Sequence, residues 1–107
     1  MQTLIQVITN GGESLRDKIM SDSRLEKFGL VASERKRLGR PHGWGKIHSA
    51  EGAHGAINLE WHSATGVLIC RVVTKLGGKP HSIAGAFVDY LLARYQRRIV
   101  AIHIMTR

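Results

Sequence analysis

The sequence predicts an α+β domain in which a central antiparallel hairpin sheet and a C-terminal strand have helices packed on them. The chain has 107 residues and 43% hydrophobic content, which suits a single domain with one core. Two central segments show the alternation or the β-branched composition of strands. A later segment repeats apolar residues at the spacing of a helix. The expected order of elements is therefore α-β-β-β-α-β.

The first third of the chain predicts helix after an ambiguous start. Residues 3–9, TLIQVIT, have no polar face at either period, so residues 1–13 fit a short strand, the start of a helix or a flexible terminus. Paired glycines then break the chain, and Ser14 is a candidate N-cap. The apolar residues that follow predict one broken helix or two short helices over 14–36, ended by Gly39 and Pro41.

The centre of the chain is typical of β-structure. Residues 44–49, WGKIHS, predict a short strand, and residues 51–55 predict a turn. Residues 56–62 alternate apolar and polar positions, and residues 67–75 are rich in β-branched side chains. A tight turn at 63–66 joins them as a hairpin. The register that gathers the apolar residues on one face sets Trp61 against Leu68, Leu59 against Cys70, Ile57 against Val72 and Glu60 beside Ile69.

The C-terminal third predicts a helix and a last strand. After a loop at 76–80, either Pro80 or Ser82 begins a helix whose apolar stripe is Ile83, Phe87, Leu91 and Tyr95. Residues 99–105, IVAIHIM, are apolar at almost every position, which indicates a strand buried on both faces or one used in a dimer contact. A strand, a helix and a strand in this order predict parallel strands if both lie in one sheet.

The positive charge of the chain is concentrated in one region. The net charge is +8, but residues 1–34 carry four bases and five acids, whereas residues 35–107 carry twelve bases and three acids. A regional positive field attracts polyanions in a salt-dependent way, so the charge favours nucleic acid as a partner.

Composition also bears on location. No apolar run approaches the roughly 20 residues that span a bilayer, and the N-terminus lacks the basic start of a signal peptide. The single cysteine, Cys70, rules out an intrachain disulfide and suits a reducing compartment. We therefore expect a cytoplasmic protein without a membrane partner.

Three basic segments are the candidate nucleic-acid contacts. The first surrounds a Gly/Pro-rich loop without acids, and its tryptophan suits either base stacking or the core. The second is a glycine-containing loop before a helix, and the third lies at that helix's C-terminal end. The predicted contact residues are Arg35, Lys36, Arg37, Arg40, Trp44, Lys46, Lys75, Lys79, Arg94, Arg97 and Arg98.

The histidines give little indication of chemistry. The six histidines and Cys70 match no metal-binding spacing, so we predict no metal and no cofactor. Glu51, His54, Glu60 and His62 are close in sequence, and a histidine beside a carboxylate is able to act as a general base on RNA. His54 is therefore the single candidate catalytic residue, set against the alternative of a polar outer sheet face.

The order α-β-β-β-α, with the loop GKPHS at 78–82 opening the last helix, broadly resembles double-stranded-RNA-binding domains and the small toxin ribonucleases built on that fold. The segment EGAHG at 51–55 resembles the Gly-x-His segment of those toxins. The resemblance is one of topology, and the strand at 99–105 is additional to it.

Together these patterns predict a basic accessory protein that binds DNA or RNA through the phosphate backbone and does not catalyse. An alternative from another class is an interaction module that forms a homodimer through the 99–105 strand. A second alternative is a small ribonuclease of the architecture just named.

Overall fold

The fold is one antiparallel sheet with helices packed against it. The computed structural model describes residues 3–33, 44–50, 55–74 and 80–106. Its elements are β1 Thr3–Thr9, α1 Leu15–Met20, a 3₁₀-helix Ser23–Phe28, β2 Leu30–Ser33, β3 Trp44–Ser49, β4 Ala56–His62, β5 Val67–Val73, α2 Pro80–Tyr95 and β6 Ile99–Thr106. The predicted α+β class is confirmed, and β1 and β2 are additions to the predicted order.

The six strands follow the spatial order β2-β3-β4-β5-β1-β6. Strands β2 to β5 form a meander of neighbouring antiparallel strands. Strand β1 lies between β5 and β6 and is antiparallel to both. Strands β5 and β6, which flank α2 in the chain, therefore run parallel to each other, as the sequence predicts.

The hairpin of β4 and β5 has the predicted register. Trp61 is opposite Leu68, Leu59 opposite Cys70 and Ile57 opposite Val72. The turn between the strands uses Gly66 in the left-handed region, at φ 67°, where a side chain would be strained. The register is fixed because a slip by one residue would turn every apolar side chain of the hairpin away from the core.

The helical region after Ser14 is shorter than predicted. The Ser14 side chain caps α1 by accepting the Asp17 N–H, as expected. The prediction of helix is wrong for residues 29–33, because the 3₁₀-helix ends at Phe28 and β2 begins at Leu30, and residues 34–36 lie outside the described residues. Gly29 follows at φ 73° and bonds back to the Glu26 carbonyl, which stops the helix and turns the chain into β2.

The core lies between one face of the sheet and the helices. The buried strand residues belong to that face, and the other core residues come from α1, the 3₁₀-helix and α2. The largest fully buried side chains are Tyr90, Phe87, Ile5, Leu15, Ile19, Leu30, Ile47, Ile57, Leu59, Leu68, Leu91 and Val7. Each such apolar side chain contributes about 1.5–3 kcal/mol by leaving water. Helix α1 packs on β2, β3 and β4, and α2 packs on β4, β5 and the 3₁₀-helix.

Strand β6 is not buried on both faces, so the first of the two alternatives predicted for residues 99–105 is wrong, and the dimer contact stays a prediction. Its side chains are half-buried or exposed, with Val100 at 68% and Ile104 at 52% exposure. The reason is its position at the outer edge of the sheet, where β1 is its one partner among the described strands. In the ranges that the structure describes, no helix has the length and apolar character needed to cross a membrane.

Candidate nucleic-acid interface

Both described helices and the 3₁₀-helix pack against one face of the sheet, and we call the opposite face the open face. Because strand residues alternate, every second residue of each strand points to this side. None of these residues is buried. They are Leu4, Gln6 and Ile8 of β1, Val31 and Ser33 of β2, Lys46 and His48 of β3, Ala56, Asn58, Glu60 and His62 of β4, Val67, Ile69, Arg71 and Val73 of β5, and Ala101, His103 and Met105 of β6.

The charged residues of the described strands all lie on the open face. Lys46, Asn58 and Arg71 occupy directly opposite positions on β3, β4 and β5 and form one row across the sheet. With strands about 4.8 Å apart, the backbones of Lys46 and Arg71 are about 10 Å apart. Glu60 is the one acid of the described strands. The row therefore presents two cations and an amide, which suit phosphate oxygens as ligands.

Three histidines share this face with the basic row. His62 Nε2 is 3.7 Å from Glu60 Oε1, so the acid of the face has a partner when His62 is protonated. His48 Nδ1 is 3.4 Å from the carbonyl oxygen of Ser49. Among the described residues, no three histidine, cysteine or acidic side chains come together in a way that would hold a metal ion. His54, the candidate catalytic residue, lies outside the described residues.

The predicted basic loops attach at opposite ends of the sheet. Arg35, Lys36, Arg37 and Arg40 lie outside the described residues, in the connection from Ser33 to Trp44. The backbone of Trp44 is opposite Glu60, and its side chain is outside the described part. Lys75 and Lys79 are also outside it, in the connection that leaves β5 after Val73, at the end where Ala56 begins β4. The row of Lys46 and Arg71 lies between these two attachment points.

The third predicted segment, at the end of α2, is partly engaged within the fold. Arg94 Nε donates to Asp22 Oδ2 at 3.1 Å. Arg98 Nη2 donates to the Gly11 and Glu13 carbonyls at 3.0 and 2.5 Å, which ties β6 to the loop after β1. Arg97 is exposed. Helix α2 covers the other side of the sheet, so these three residues do not join the row of Lys46 and Arg71.

A polar cluster around Asp22 was not predicted from the sequence. Its carboxylate is only 6% exposed and accepts hydrogen bonds from Tyr90 at 2.7 Å, Tyr95 at 3.1 Å, Arg94 at 3.1 Å and the Arg24 N–H at 3.0 Å. Burial acts to raise the pKa of Asp22, but these hydrogen bonds outweigh burial and lower the pKa from 3.8 to about 2.

The Asp22 cluster joins two elements rather than forming a reactive site. Burial, followed by the hydrogen bonds to Tyr95 and Asp22, raises the pKa of Tyr90, so its hydroxyl stays protonated and serves as a donor. The cluster fixes α2 to the cap of the 3₁₀-helix. The only local signal in the sequence is an aspartate at a helix start, and its partners are about 70 residues away.

Comparison of the chain with protein-family models, with curated proteins and with solved structures finds no match.

Proposed function

We propose that the protein is an accessory protein that binds nucleic acid across the open face of its sheet, through the phosphate backbone. The observation that carries this proposal is the row of Lys46 and Arg71 on the face opposite to the described helices. Both side chains are accessible, since Lys46 is half-buried and Arg71 is exposed. Arginine and lysine neutralise phosphates and release the counterions held there, which drives binding.

On the open face, two cations are accompanied by a single acid, Glu60. The other acids of the described residues lie before or on α1, at or on the 3₁₀-helix and on α2, where bases of the same elements accompany them. The connection 34–43 joins β2 to β3 at one end of the sheet, and the connection 75–79 leaves β5 at the other end. The basic residues predicted in these connections would add to the positive field that attracts a polyanion.

The composition of the open face favours contacts to phosphate over contacts to bases. Sheets that read single-stranded RNA stack bases on aromatic side chains. The described side chains of the open face include no phenylalanine, tyrosine or tryptophan; their rings are the imidazoles of His48, His62 and His103, and their apolar residues are aliphatic. We therefore expect similar affinities for different sequences of the same length, since phosphate contacts carry no base information.

The test is a pair of charge reversals with the same composition on the two sides of the fold. Lys46→Glu with Arg71→Glu changes the open face. The control, Arg24→Glu with Lys27→Glu, makes the same change at exposed positions on the 3₁₀-helix. Affinity for labelled nucleic acid is measured by fluorescence anisotropy over a series of salt concentrations. Each lost phosphate contact removes about 0.7–0.9 from the slope of log affinity against log salt, so the open-face variant should lose roughly 1.4–1.8.

Two outcomes would contradict the proposal. One is an equal loss of affinity in both variants, since this would show an effect of total charge. The other is unchanged binding in the open-face variant. A third variant, with Arg35, Lys36, Arg37 and Arg40 all changed to glutamate, then shows whether the loop alone binds the ligand. Circular dichroism of each variant confirms that the fold is retained.

A further inference from the structure

Strand β6 is an outer strand without the usual protection of a sheet edge. Natural edge strands are short, bulged, or carry charges or proline, because an exposed row of backbone donors and acceptors pairs with other chains. The eight residues Ile99–Thr106 contain no charged residue and no proline. A register shift leaves Val100 without a partner in β1, but from Ala101 onwards the pairing is regular. The opposite edge, β2, has only four residues.

Apolar side chains are exposed on both faces of this strand. Ile104 lies opposite the fully buried Ile5, on the face that carries the helices, yet it is 52% exposed. Helix α2 packs mainly on β4 and β5 and so covers less of the sheet beside β6. Met105 on the open face is 42% exposed, and Val100 is 68% exposed. Water therefore reaches several apolar side chains, here called the apolar strip, along a backbone edge that no other described strand pairs with.

We propose that a second copy of the chain covers this strip, with β6 of each copy pairing antiparallel to β6 of the other. A polyanion does not suit this strip, because the strand has no lysine or arginine that would bind it. The uncharged strand also lets two copies meet without like charges in contact, although each has a net charge of +8. Pairing of β6 with β6 about a two-fold axis gives a closed dimer that covers the β6 edge of each copy. Pairing of β6 with β2 of another copy would instead leave an unpaired β6 edge at one end of the assembly. This inference does not depend on the proposed function.

The geometry limits the pairing to few registers. When a two-fold axis relates the two antiparallel strands, the helices of both copies lie on the same side of the joined sheet. Residues that lie opposite each other point to the same side, so both must be odd-numbered or both even-numbered. Two such registers pair five residues of the regular part of β6. One is centred on His103 and sets Ile102 opposite Ile104 of the second copy, and the other is centred on Ile104. Either register continues the two six-stranded sheets into one.

The size of the contact sets the expected strength. The five paired residues span about 17 Å. Because α2 packs mainly on β4 and β5, the contact is about one sheet layer, roughly 10 Å, high, and each copy would bury about 170 Å², which is well below a standard interface and typical of a weak, transient contact. We therefore expect a monomer–dimer equilibrium that depends on concentration. Because both copies are strongly basic, added salt should increase the dimer fraction by screening their repulsion. Salt has the opposite effect on binding of a polyanion.

The experiment is sedimentation equilibrium of the full chain over about a hundredfold range of concentration at low and at high salt. The wild type should shift from a mass of 11.9 kDa towards twice that value. Val100→Lys and Ile104→Lys should each weaken association at least tenfold. Val73→Lys is the matched control, because Val73 is 44% exposed but lies on the interior strand β5. It should dimerise like the wild type.

Cysteine variants give an independent readout of the pairing. In an oxidising buffer either His103→Cys or Ile104→Cys should form a covalent dimer, since the central residue lies opposite its own copy. His62→Cys, on the interior strand β4, should not. The native Cys70 is fully buried and will not compete. A wild type that stays monomeric overturns the proposal. A dimer that survives both lysine variants, or that no cysteine at the two centres captures, also overturns it.

Discussion

Replacement of Asp22 by asparagine tests the polar cluster that joins the 3₁₀-helix to α2. The change keeps the shape of the side chain and removes the charge that Tyr90, Tyr95, Arg94 and the Arg24 N–H share. The pKa of Asp22 falls from 3.8 to about 2 on folding. At about 1.4 kcal/mol per pKa unit, the ionised carboxylate stabilises the fold by about 2 kcal/mol more than its protonated form. Asparagine resembles the protonated form, so the variant should lose about 2 kcal/mol at pH 7.

The same reasoning predicts how the loss depends on pH. Because the folded pKa lies below the unfolded one, the stabilisation is complete well above pH 3.8 and disappears as the pH falls through 2. Proton linkage predicts that about half of this stabilisation is lost by pH 3. The free energy of unfolding of both proteins is measured by urea titration at pH 7 and at pH 3. The gap between them should narrow by about 1 kcal/mol.

The control is Asp89→Asn, which removes a charge from an exposed position on α2. This change should leave stability at pH 7 within about 0.5 kcal/mol of the wild type. A loss of unfolding free energy below about 0.5 kcal/mol for Asp22→Asn would be no larger than that of an ordinary surface change, and it would refute the stabilising role of the cluster. A gap of equal size at both pH values would refute the assignment of the lowered pKa.

Two further predictions concern single side chains. Gly55 has φ 98°, and an added Cβ would lie 2.5 Å from the Val73 carbonyl oxygen, so Gly55→Ala should destabilise the fold by about 1–3 kcal/mol. Gly85 on α2 has open space around it, so Gly85→Ala should instead stabilise the fold by about 0.5–1 kcal/mol. Thermal melts in which both changes shift the melting temperature in the same direction would contradict this. Arg98→Ala should cost about 1–3 kcal/mol, because it leaves the Gly11 and Glu13 carbonyls without this donor. The exposed neighbour change Arg97→Ala should be nearly neutral, and equal melting temperatures for the two variants would be the contrary result.

The sequence is sufficient for elements whose pattern is local and repeated. The alternation of Ile57, Leu59 and Trp61 and the glycine turn at Gly66 determine the β4–β5 register without further information. The stripe in α2 likewise predicts its buried face, because Ile83, Phe87 and Leu91 are buried. In both cases one face of one element carries the signal.

Features that depend on distant partners could not be obtained in this way. Strand β1 has no polar face in its sequence, because it is an interior strand between β5 and β6. The Asp22 cluster joins residues about 70 positions apart, and nothing near Asp22 indicates its partners. The apolar sequence of β6 predicts a buried strand, whereas its exposure results from the position of α2. The row of Lys46 and Arg71 needed the register of three strands, although Lys46 was predicted as a contact.

The most direct test of the central claim is a titration of the wild-type chain with labelled nucleic acid at 50 and at 200 mM salt. Two phosphate contacts from the open face alone imply a fall in affinity of about sevenfold or more across this range, and the basic loops would increase it. Binding that weakens in this way is the predicted result. No binding at the lower salt concentration, or an affinity that does not change between the two, would contradict the claim that the open face of the sheet binds a phosphate backbone.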